Sequence, residues 1–207
     1  PLVVNLHHEQ VAAKYYEHIL LPRDNVAKHK VIHLVWTEMF KKSLQKIGVS
    51  DELIFITGNT RAEKTIKKKS KTNLANKYNL DKKKDWLLLC ESGNTILSDK
   101  EITTLVEERG FLVTDLEDNN AYLRKTIKGM TDQLNALEDE FFEKYEIIYR
   151  AHPGFEETPN LDNRIKQIDK ESVSDWFPNV AAVLSRISTV LHEAEKQGVF
   201  SVRYDPE

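Results

Sequence analysis

Two kinds of hydrophobic pattern alternate along the chain. Short runs rich in β-branched and aliphatic residues have the length of buried strands, and they lie at residues 2–6, 31–35, 53–57, 86–90, 146–149, 164–168, 180–184 and 199–204. Longer segments have the apolar spacing of amphipathic helices, and they lie at residues 37–47, 61–78, 99–109, 118–145 and 189–197. Strands that alternate with helices predict an α/β fold of the Rossmann-like type, a parallel sheet with flanking helices on both faces.

The helical pattern at residues 118–145 is the longest of these. Its apolar residues follow each other at spacings of four and three, and they are Leu123, Ile127, Met130, Leu134, Leu137 and Phe141. This heptad seam predicts one long amphipathic helix of about 40 Å. We expect the seam to pack on its own domain, with self-association into a homo-oligomer as the alternative.

Composition excludes several classes of protein. The 207 residues are 40% hydrophobic and 30% charged, which is typical of an ordinary folded protein rather than a disordered or fibrous one. No apolar run approaches the ~20 residues that span a bilayer. Cys90 is the single cysteine, and the first residues lack the basic start of a secretion signal, so we expect a cytoplasmic protein without disulfides.

Charge is unevenly distributed along the chain. From Arg61 to Lys84 ten basic residues face only Glu63 and Asp81, so this segment carries +8 within a chain whose net charge is -3. A solvated helix face explains such a segment, and a peripheral contact with the anionic inner face of a membrane, made between Lys64 and Lys84, is the alternative. We expect no nucleic-acid binding, because no aromatic residues interleave with the first lysines and the rest of the chain is acidic.

Loops that follow the predicted strands carry the candidate chemistry. In a parallel α/β sheet, ligands bind at the carboxyl ends of the strands, and phosphates bind at the N-termini of the helices that follow. Small, hydroxyl and cationic side chains in these loops fit a nucleotide diphosphate, and they are Gly58, Asn59, Arg61, Ser92, Arg150, His152, Ser185, Arg186, Ser188 and Thr189. Two simpler roles stay open, since serine at residue 188 is also a good helix cap and Gly58-Asn59 is a common turn.

His7-His8-Glu9 follows the first strand directly. An imidazole beside a carboxylate is what a general base requires, because the carboxylate fixes the tautomer of the ring. Neighbouring side chains on an extended segment point to opposite sides, so His7 and His8 do not both face one ligand. A surface histidine pair without a catalytic role is the alternative.

Several familiar motifs are absent from the sequence. It contains no Gly-x-Gly-x-x-Gly, no Gly-x-x-x-x-Gly-Lys-Ser/Thr and no Gly-x-Ser-x-Gly, which argues against a nicotinamide dehydrogenase, a P-loop kinase and a serine hydrolase. No Cys/His set has zinc spacing, and no Asp-x-Asp pair is present to hold a divalent ion. We therefore expect neither a metal ion nor a cofactor.

In their order, these loops resemble the C-terminal half of the GT-B glycosyltransferase superfamily, particularly bacterial surface-carbohydrate enzymes and the CDP-glycerol glycerophosphotransferases of wall teichoic acid synthesis. The residues that carry the resemblance are His7-His8-Glu9, Gly58-Asn59-Thr60-Arg61, Arg150-Ala151-His152-Pro153, and Ser185-Arg186-Ile187-Ser188-Thr189 with Glu193-Ala194. The resemblance implies one half of a GT-B architecture. Residues 1–30 would be the end of an acceptor-side segment with the interdomain loop, and residues 31–207 the nucleotide-donor-binding domain.

The same resemblance implies an activity and roles. The enzyme would transfer a sugar or a polyol phosphate from a nucleotide-diphosphate donor to a polysaccharide or lipid-linked acceptor of capsule or cell wall, by an inverting, metal-independent displacement. His8, or next His7, would be the base, with Glu9 orienting it. Arg150 and His152 would neutralise the leaving phosphates, and Glu193 would face the ribose or the transferred group.

Departures from the family pattern keep alternatives open. The teichoic acid enzymes have a string resembling Asp-Tyr-Ser-Ser where this chain has Ser185-Arg186-Ile187-Ser188-Thr189, which favours a nucleotide sugar over CDP-glycerol. A UDP-N-acetylglucosamine 2-epimerase and a non-catalytic module that binds a membrane or another chain are the alternatives. Because the chain starts at Pro1 with strands for one domain, we expect a C-terminal portion that binds nucleotide and is inactive alone.

Overall fold

The computed structural model describes residues 2–7, 21–59, 69–92, 96–152, 159–186 and 188–204. The chain divides into two compact units, Pro1–Thr65 and Ile66–Glu207. The boundary expected between residues 30 and 31 therefore falls inside the first unit. The reason is strand pairing, because Val3 of the first strand lies opposite Val31 of the second.

A small parallel sheet forms the first unit. Its described elements are β1 (Val3–Leu6), α1 (Asn25–Lys30), β2 (Val31–Val35), α2 (Glu38–Lys46), a 3-10 turn (Asp51–Leu53) and β3 (Ile54–Ile56), with sheet order β1-β2-β3. Helix α2 begins where the Thr37 hydroxyl accepts a hydrogen bond from the Phe40 amide at 3.3 Å. Phe40 and Leu44, one turn apart, are fully buried against Val35 and Ile54. This contact packs the helix on the sheet.

The second unit contains a five-stranded parallel sheet. Its strands are β4 (Asp85–Cys90), β5 (Tyr145–Arg150), β6 (Lys166–Gln167), β7 (Ala182–Ser185) and β8 (Phe200–Arg203). Their order across the sheet is β6-β5-β4-β7-β8. In chain order this is 3-2-1-4-5, the order of a Rossmann-like sheet, in which the connections run in opposite directions on either side of β4 and β7.

Helices cover both faces of this sheet. They are α3 (Lys71–Tyr78), α4 (Asp99–Arg109), α5 (Val113–Asn135), α6 (Asp139–Lys144), α7 (Val173–Trp176) and α8 (Thr189–Lys196), with a 3-10 turn at Phe177–Asn179. Helix α4 starts with a capping box between Ser98 and Glu101, and it ends at Gly110, whose φ of 68° suits a residue without a side chain. Local sequence thus sets both ends of this helix.

Alternate residues of the central strands form two separate cores. Trp86, Leu88 and Ile148 pack with Trp176 and Val190 on one face. On the other face the apolar residues that pack together are Leu89, Met130, Phe142, Ile147, Tyr149 and Ile165. Because both faces are covered, the strands read as nearly continuous hydrophobic runs, as the sequence indicated.

The long helix predicted at residues 118–145 is two helices. Helix α5 ends at Asn135 and α6 begins at Asp139. The apolar spacing continues through the break, because Leu134, Leu137 and Phe141 all pack against the core on the side of Ile147. The seam therefore packs on its own domain, as expected.

Another predicted helix, residues 61–78, is also shorter than expected. Ser70 has extended backbone angles, and its hydroxyl accepts from the Asn73 amide, so α3 begins there. Residues 60–68 lie outside the described part of the chain. Helices α1 and α7 were not predicted, because six and four residues are too short to show an apolar period.

Candidate nucleotide-binding edge

The carboxyl edge of the second unit's sheet brings two of the predicted loops together. Strands β4 and β7 are neighbours, with Leu87 opposite Ala182 and Leu89 opposite Leu184. The loops after these strands leave the sheet at the point where the strand order reverses. Ligands of such sheets bind in the crevice at that point.

Buried hydrogen bonds join these two loops. Arg186 donates from Nε to the Ser92 hydroxyl at 3.2 Å, and both residues are almost completely buried. The Ser185 hydroxyl donates to the Cys90 carbonyl at 2.8 Å. The guanidinium of Arg186 also lies 5.4 Å from the centre of the Tyr122 ring. A positive charge is therefore fixed at the edge, beside Ser92 and Ser185, two of the residues selected from the sequence.

Glu91 lies next to this pair, and the sequence did not single it out. Its carboxylate accepts from the Tyr149 hydroxyl at 3.0 Å. Burial raises the pKa of Glu91, while Arg186 and His152 oppose that rise. The pKa of Tyr149 is raised as well, by burial and by the Glu91 charge. The edge thus contains a carboxylate that takes up a proton more readily than an exposed glutamate.

The segment between Ser92 and helix α4 is held at its far end by a side chain. Asn120, on α5, accepts from the Leu97 amide at 2.9 Å and donates to the Leu97 carbonyl at 2.8 Å. One side chain thus pairs with both backbone groups of Leu97. The residue before the α4 cap is therefore fixed to the neighbouring helix.

Helix α8 follows β7 and presents its N-terminus near the same edge. Ser188 caps it, because its hydroxyl accepts from the Val190 amide at 3.3 Å. The helix-cap role that the sequence left open for Ser188 is thus confirmed. A ligand-binding role for the same hydroxyl stays a prediction. Thr189 is the first residue of the helix, and Glu193 follows one turn later. The Glu193 charge contributes to the raised pKa of Cys90, which places this carboxylate near the end of β4.

Arg150 is the last residue of β5, and His152 follows that strand, on the other side of β4 from β7. Arg150 donates from Nε and Nη2 to the Glu171 carbonyl at 3.2 and 3.1 Å. These bonds hold the guanidinium against the loop after β6. The charge of His152 lowers the pKa of Glu91, so its imidazole lies near that carboxylate. The phosphate-neutralising roles of Arg150 and His152 stay predictions.

In the first unit, His7 forms a buried pair that the sequence did not reveal. Its Nε2 lies 3.0 Å from Nδ1 of His33, and Nε2 of His33 lies 2.8 Å from the Ala27 carbonyl. A carbonyl only accepts, so His33 carries its proton on Nε2 and, when neutral, accepts at Nδ1. His33 therefore favours a proton on Nε2 of His7, whereas the Asn5 side-chain amide, whose Nδ2 lies 3.2 Å from the same nitrogen, favours a lone pair there. The sequence signal that could have indicated this pair was His33, a polar residue in the middle of the buried strand β2.

The remaining residues proposed from the sequence are placed only in part. Asn59 is buried and follows Gly58, whose φ of 73° fits the turn predicted there. Three residues, His8, Glu9 and Arg61, lie outside the described part of the chain. Their predicted roles are therefore untested.

Four lysines of the basic segment are engaged inside the second unit. Lys69 and Lys77 form ion pairs with the buried Glu171, which also accepts from the Tyr78 hydroxyl at 2.5 Å. Two further lysines bind backbone carbonyls, since Lys71 donates to residue 84 at 3.0 Å and Lys84 to residue 142 at 2.6 Å. Part of the charge of this segment thus stabilises the fold.

Two absences concern only the described residues. Among them no group of three His, Cys, Asp or Glu side chains is arranged to hold a metal ion. Within the same ranges, no helix combines the length and the apolar character that crossing a membrane needs.

Known structures resemble this chain, although no protein-family model and no curated protein matches its sequence. HepE of Anabaena in complex with UDP-glucose matches 98% of this chain and 53% of its own, with a TM-score of 0.53 and 12% identity. The same protein with UDP and glucose gives a TM-score of 0.52, with 12% identity and coverage of 98% and 52%. The UDP-GlcNAc 2-epimerase of Methanocaldococcus jannaschii, in complex with UDP-GlcNAc and UDP, matches 84% of this chain and 52% of its own, with a TM-score of 0.50 and 18% identity.

The fold is one half of a GT-B architecture. This confirms the fold class that the sequence predicted. The chain spans about half the length of the GT-B structures that it matches. At these identities the likeness establishes the fold, and the chemistry of the chain has to be argued from its own residues.

Proposed function

We propose that the second unit binds the nucleotide diphosphate of an activated sugar at the carboxyl edge of its sheet. The observation that carries this proposal is the buried bond between Arg186 and Ser92, which fixes a cation where the strand order reverses. A fixed guanidinium and the N-terminus of α8 are both suited to phosphate oxygens. The fold neighbours, solved with UDP or a UDP-sugar, support uridine as the base.

Individual roles follow from the positions of the side chains. In the second unit, backbone amides at the start of α8, with Thr189, would bind the diphosphate, and Glu193 would accept from the ribose hydroxyls. Arg150 and His152 would neutralise the leaving phosphate. We propose that Ser92, Ser185 and Ser188 line the same site. Donor binding by Gly58, Asn59 and Arg61 stays a prediction from the sequence.

The reaction that we propose is transfer of the sugar, or of a polyol phosphate, to a polysaccharide or lipid-linked acceptor. In sugar transfer the acceptor oxygen attacks the anomeric carbon, its proton passes to a histidine, and the nucleoside diphosphate leaves with inversion. In polyol-phosphate transfer the acceptor oxygen attacks the distal phosphorus instead, and the nucleoside monophosphate leaves. His7 suits the base because His33 orients it, and His8 with Glu9 is the alternative base. A cytoplasmic enzyme, in peripheral contact with the inner membrane face between Lys64 and Lys84, would have access to lipid-linked acceptors.

An epimerase is the second candidate, because the M. jannaschii enzyme shares the fold. In both reactions the nucleotide diphosphate occupies the same edge. The two candidates differ in product, since a 2-epimerase inverts the configuration at C2 of the sugar while the sugar is on the nucleotide, and it needs no acceptor. Conversion of UDP-GlcNAc to its 2-epimer by this chain would establish the epimerase and exclude the transferase.

Calorimetric titration with UDP, UDP-glucose, UDP-GlcNAc, CDP and CDP-glycerol tests the binding proposal. We expect the uridine compounds to bind and the cytidine compounds to bind at least tenfold more weakly. Glu193→Gln should weaken UDP binding, whereas Glu195→Gln, an exposed neighbour on the same helix, should not. Absence of binding by every nucleotide would refute the proposal.

A further inference from the structure

A cleft of about 370 Å³ opens at the amino edge of the second unit's sheet. It lies between the loop before β4, the starts of β5 and β6, and helix α6. Its lining includes Asp81, Lys84, Phe142, Glu146, Arg164 and Lys166. The cleft is separate from the nucleotide-binding edge, because Glu146 and Arg150 lie four positions apart on β5, which is about 13 Å at 3.3 Å per residue.

Glu146 is the unusual residue of this cleft. It is only 8% exposed, although it carries a carboxylate and lies in a buried strand. In the described part of the chain it makes a single side-chain hydrogen bond, in which Oε2 accepts from the Asp81 amide at 3.4 Å. A carboxylate has room for about four donors. Oε1 of Glu146 has no partner among the described residues and is not fully buried, so it is accessible from the cleft.

The cations of the cleft have unused donors as well. Lys166 makes no ion pair and no side-chain hydrogen bond with any described residue. Lys84 uses one of its three ammonium protons on the Phe142 carbonyl at 2.6 Å. The charge of Arg164 is already balanced by ion pairs with Asp139 and Asp162. The cleft thus offers two ammonium groups for an anion, and the carboxylates of Glu146 and Asp81 for hydroxyl donors.

This combination selects a class of ligand. A metal ion at Glu146 is disfavoured by the lysines around it, and a bare anion leaves the carboxylate without donors. A molecule with both an anionic group and several hydroxyls satisfies both sides, and the volume suits a hexose with one phosphate. We propose that this cleft binds a phosphorylated sugar, with its phosphate on Lys84 and Lys166 and its hydroxyls on Glu146.

Amide NMR of the full chain with glucose 1-phosphate, glucose and inorganic phosphate tests the proposal. We expect glucose 1-phosphate to shift the signals of Asp81, Glu146 and Lys166, and to bind at least tenfold more tightly than glucose or phosphate alone. Equal affinity for inorganic phosphate would overturn the role of Glu146. Absence of shifts at these three residues would overturn the site itself.

Matched variants separate this cleft from the nucleotide-binding edge. Glu146→Gln and Lys166→Gln should each weaken glucose 1-phosphate at least fivefold and leave the affinity for UDP unchanged. Lys170→Gln removes an exposed charge outside the cleft and should change neither affinity. Displacement of glucose 1-phosphate by UDP would overturn the proposal, and so would normal binding of glucose 1-phosphate by both cleft variants. Neither result depends on whether the nucleotide-binding edge binds UDP.

Discussion

Arg186 and Ser92 join the two loops at which the strand order of the second unit reverses, through a bond of 3.2 Å between Nε and Oγ. Both side chains are buried, so the bond is shielded from water. The serine hydroxyl orients the guanidinium of Arg186. Loss of the hydroxyl therefore changes the position of the positive charge and does not remove the charge.

Ser92→Ala is therefore expected to weaken UDP binding by about tenfold and to lower the free energy of unfolding by about 1–2 kcal/mol. Titration calorimetry and urea unfolding measure the two effects. Ser50→Ala, at an exposed serine whose hydroxyl makes no capping bond, is the control and should alter neither. Unchanged UDP affinity in Ser92→Ala would remove the bond from the proposed site.

His33→Leu is expected to change the tautomer of His7. The variant removes the ring nitrogen that lies 3.0 Å from Nε2 of His7 and leaves the donating Asn5 amide beside it, so the proton of neutral His7 moves toward Nδ1. Long-range 15N–1H NMR of the imidazoles measures the tautomer. A His7 ring with its proton on Nε2 in both proteins would show that His33 has no orienting role, and His29→Leu, at an exposed position, is the control.

Glu171 should make stability depend on pH in the acid range. Its ion pairs with Lys69 and Lys77, and the bond from Tyr78, lower its pKa from 4.5 to about 2. The stabilisation is complete above the unfolded-state pKa near 4.5 and is lost as the pH falls toward 2. Its size is at most about 3 kcal/mol, because the lysines are partly exposed and water screens the pairs.

Urea unfolding at pH 6 and at pH 3 measures this effect. Glu171→Gln should be less stable than the natural chain at pH 6, and the difference should shrink at pH 3. Glu143→Gln, at an exposed position, should follow the natural chain at both values. A constant difference between the two pH values would contradict the ion-pair origin.

Cys90 is expected to be inert toward alkylation in the folded protein. Burial raises the pKa of its thiol from 9.0 to about 12, so the thiolate is about a thousandfold rarer at neutral pH. Iodoacetamide should label less than about 1% of the folded protein in the time that labels the urea-unfolded chain completely. Rapid labelling under native conditions would show that the end of β4 opens.

The sequence predicted which helices and strands are present better than it predicted the residues at which they begin and end. The eight strands of the described residues were all found. The central strands β4, β5 and β7 are buried and read as continuous apolar runs, whereas β1 and β8 were found from their β-branched and aliphatic residues although they are largely exposed. The break between α5 and α6 was missed, since Leu134, Leu137 and Phe141 keep the helical spacing across it. A pattern of side chains reports which face is buried and does not report where the backbone turns.

The candidate site was predicted less completely than the fold. Ser92 and Ser185 were found because they lie at the ends of strands, Ser92 after β4 and Ser185 as the last residue of β7, and the structure places both at one edge. Glu91 and His33 were missed, since their importance depends on burial and on partners that are distant in sequence. Tyr149 and His7 supply those partners, 58 and 26 residues away.

The attachment of Leu97 to Asn120 has a consequence for how this protein can change. Four residues, Gly93 to Ile96, separate Leu97 from Ser92, and Arg186 and Asn120 hold these two end points. Neither attachment uses a side chain of these four residues, so substitutions among them leave both bonds in place. Natural drift, or a randomised library, can therefore introduce new side chains here while the two attachments persist.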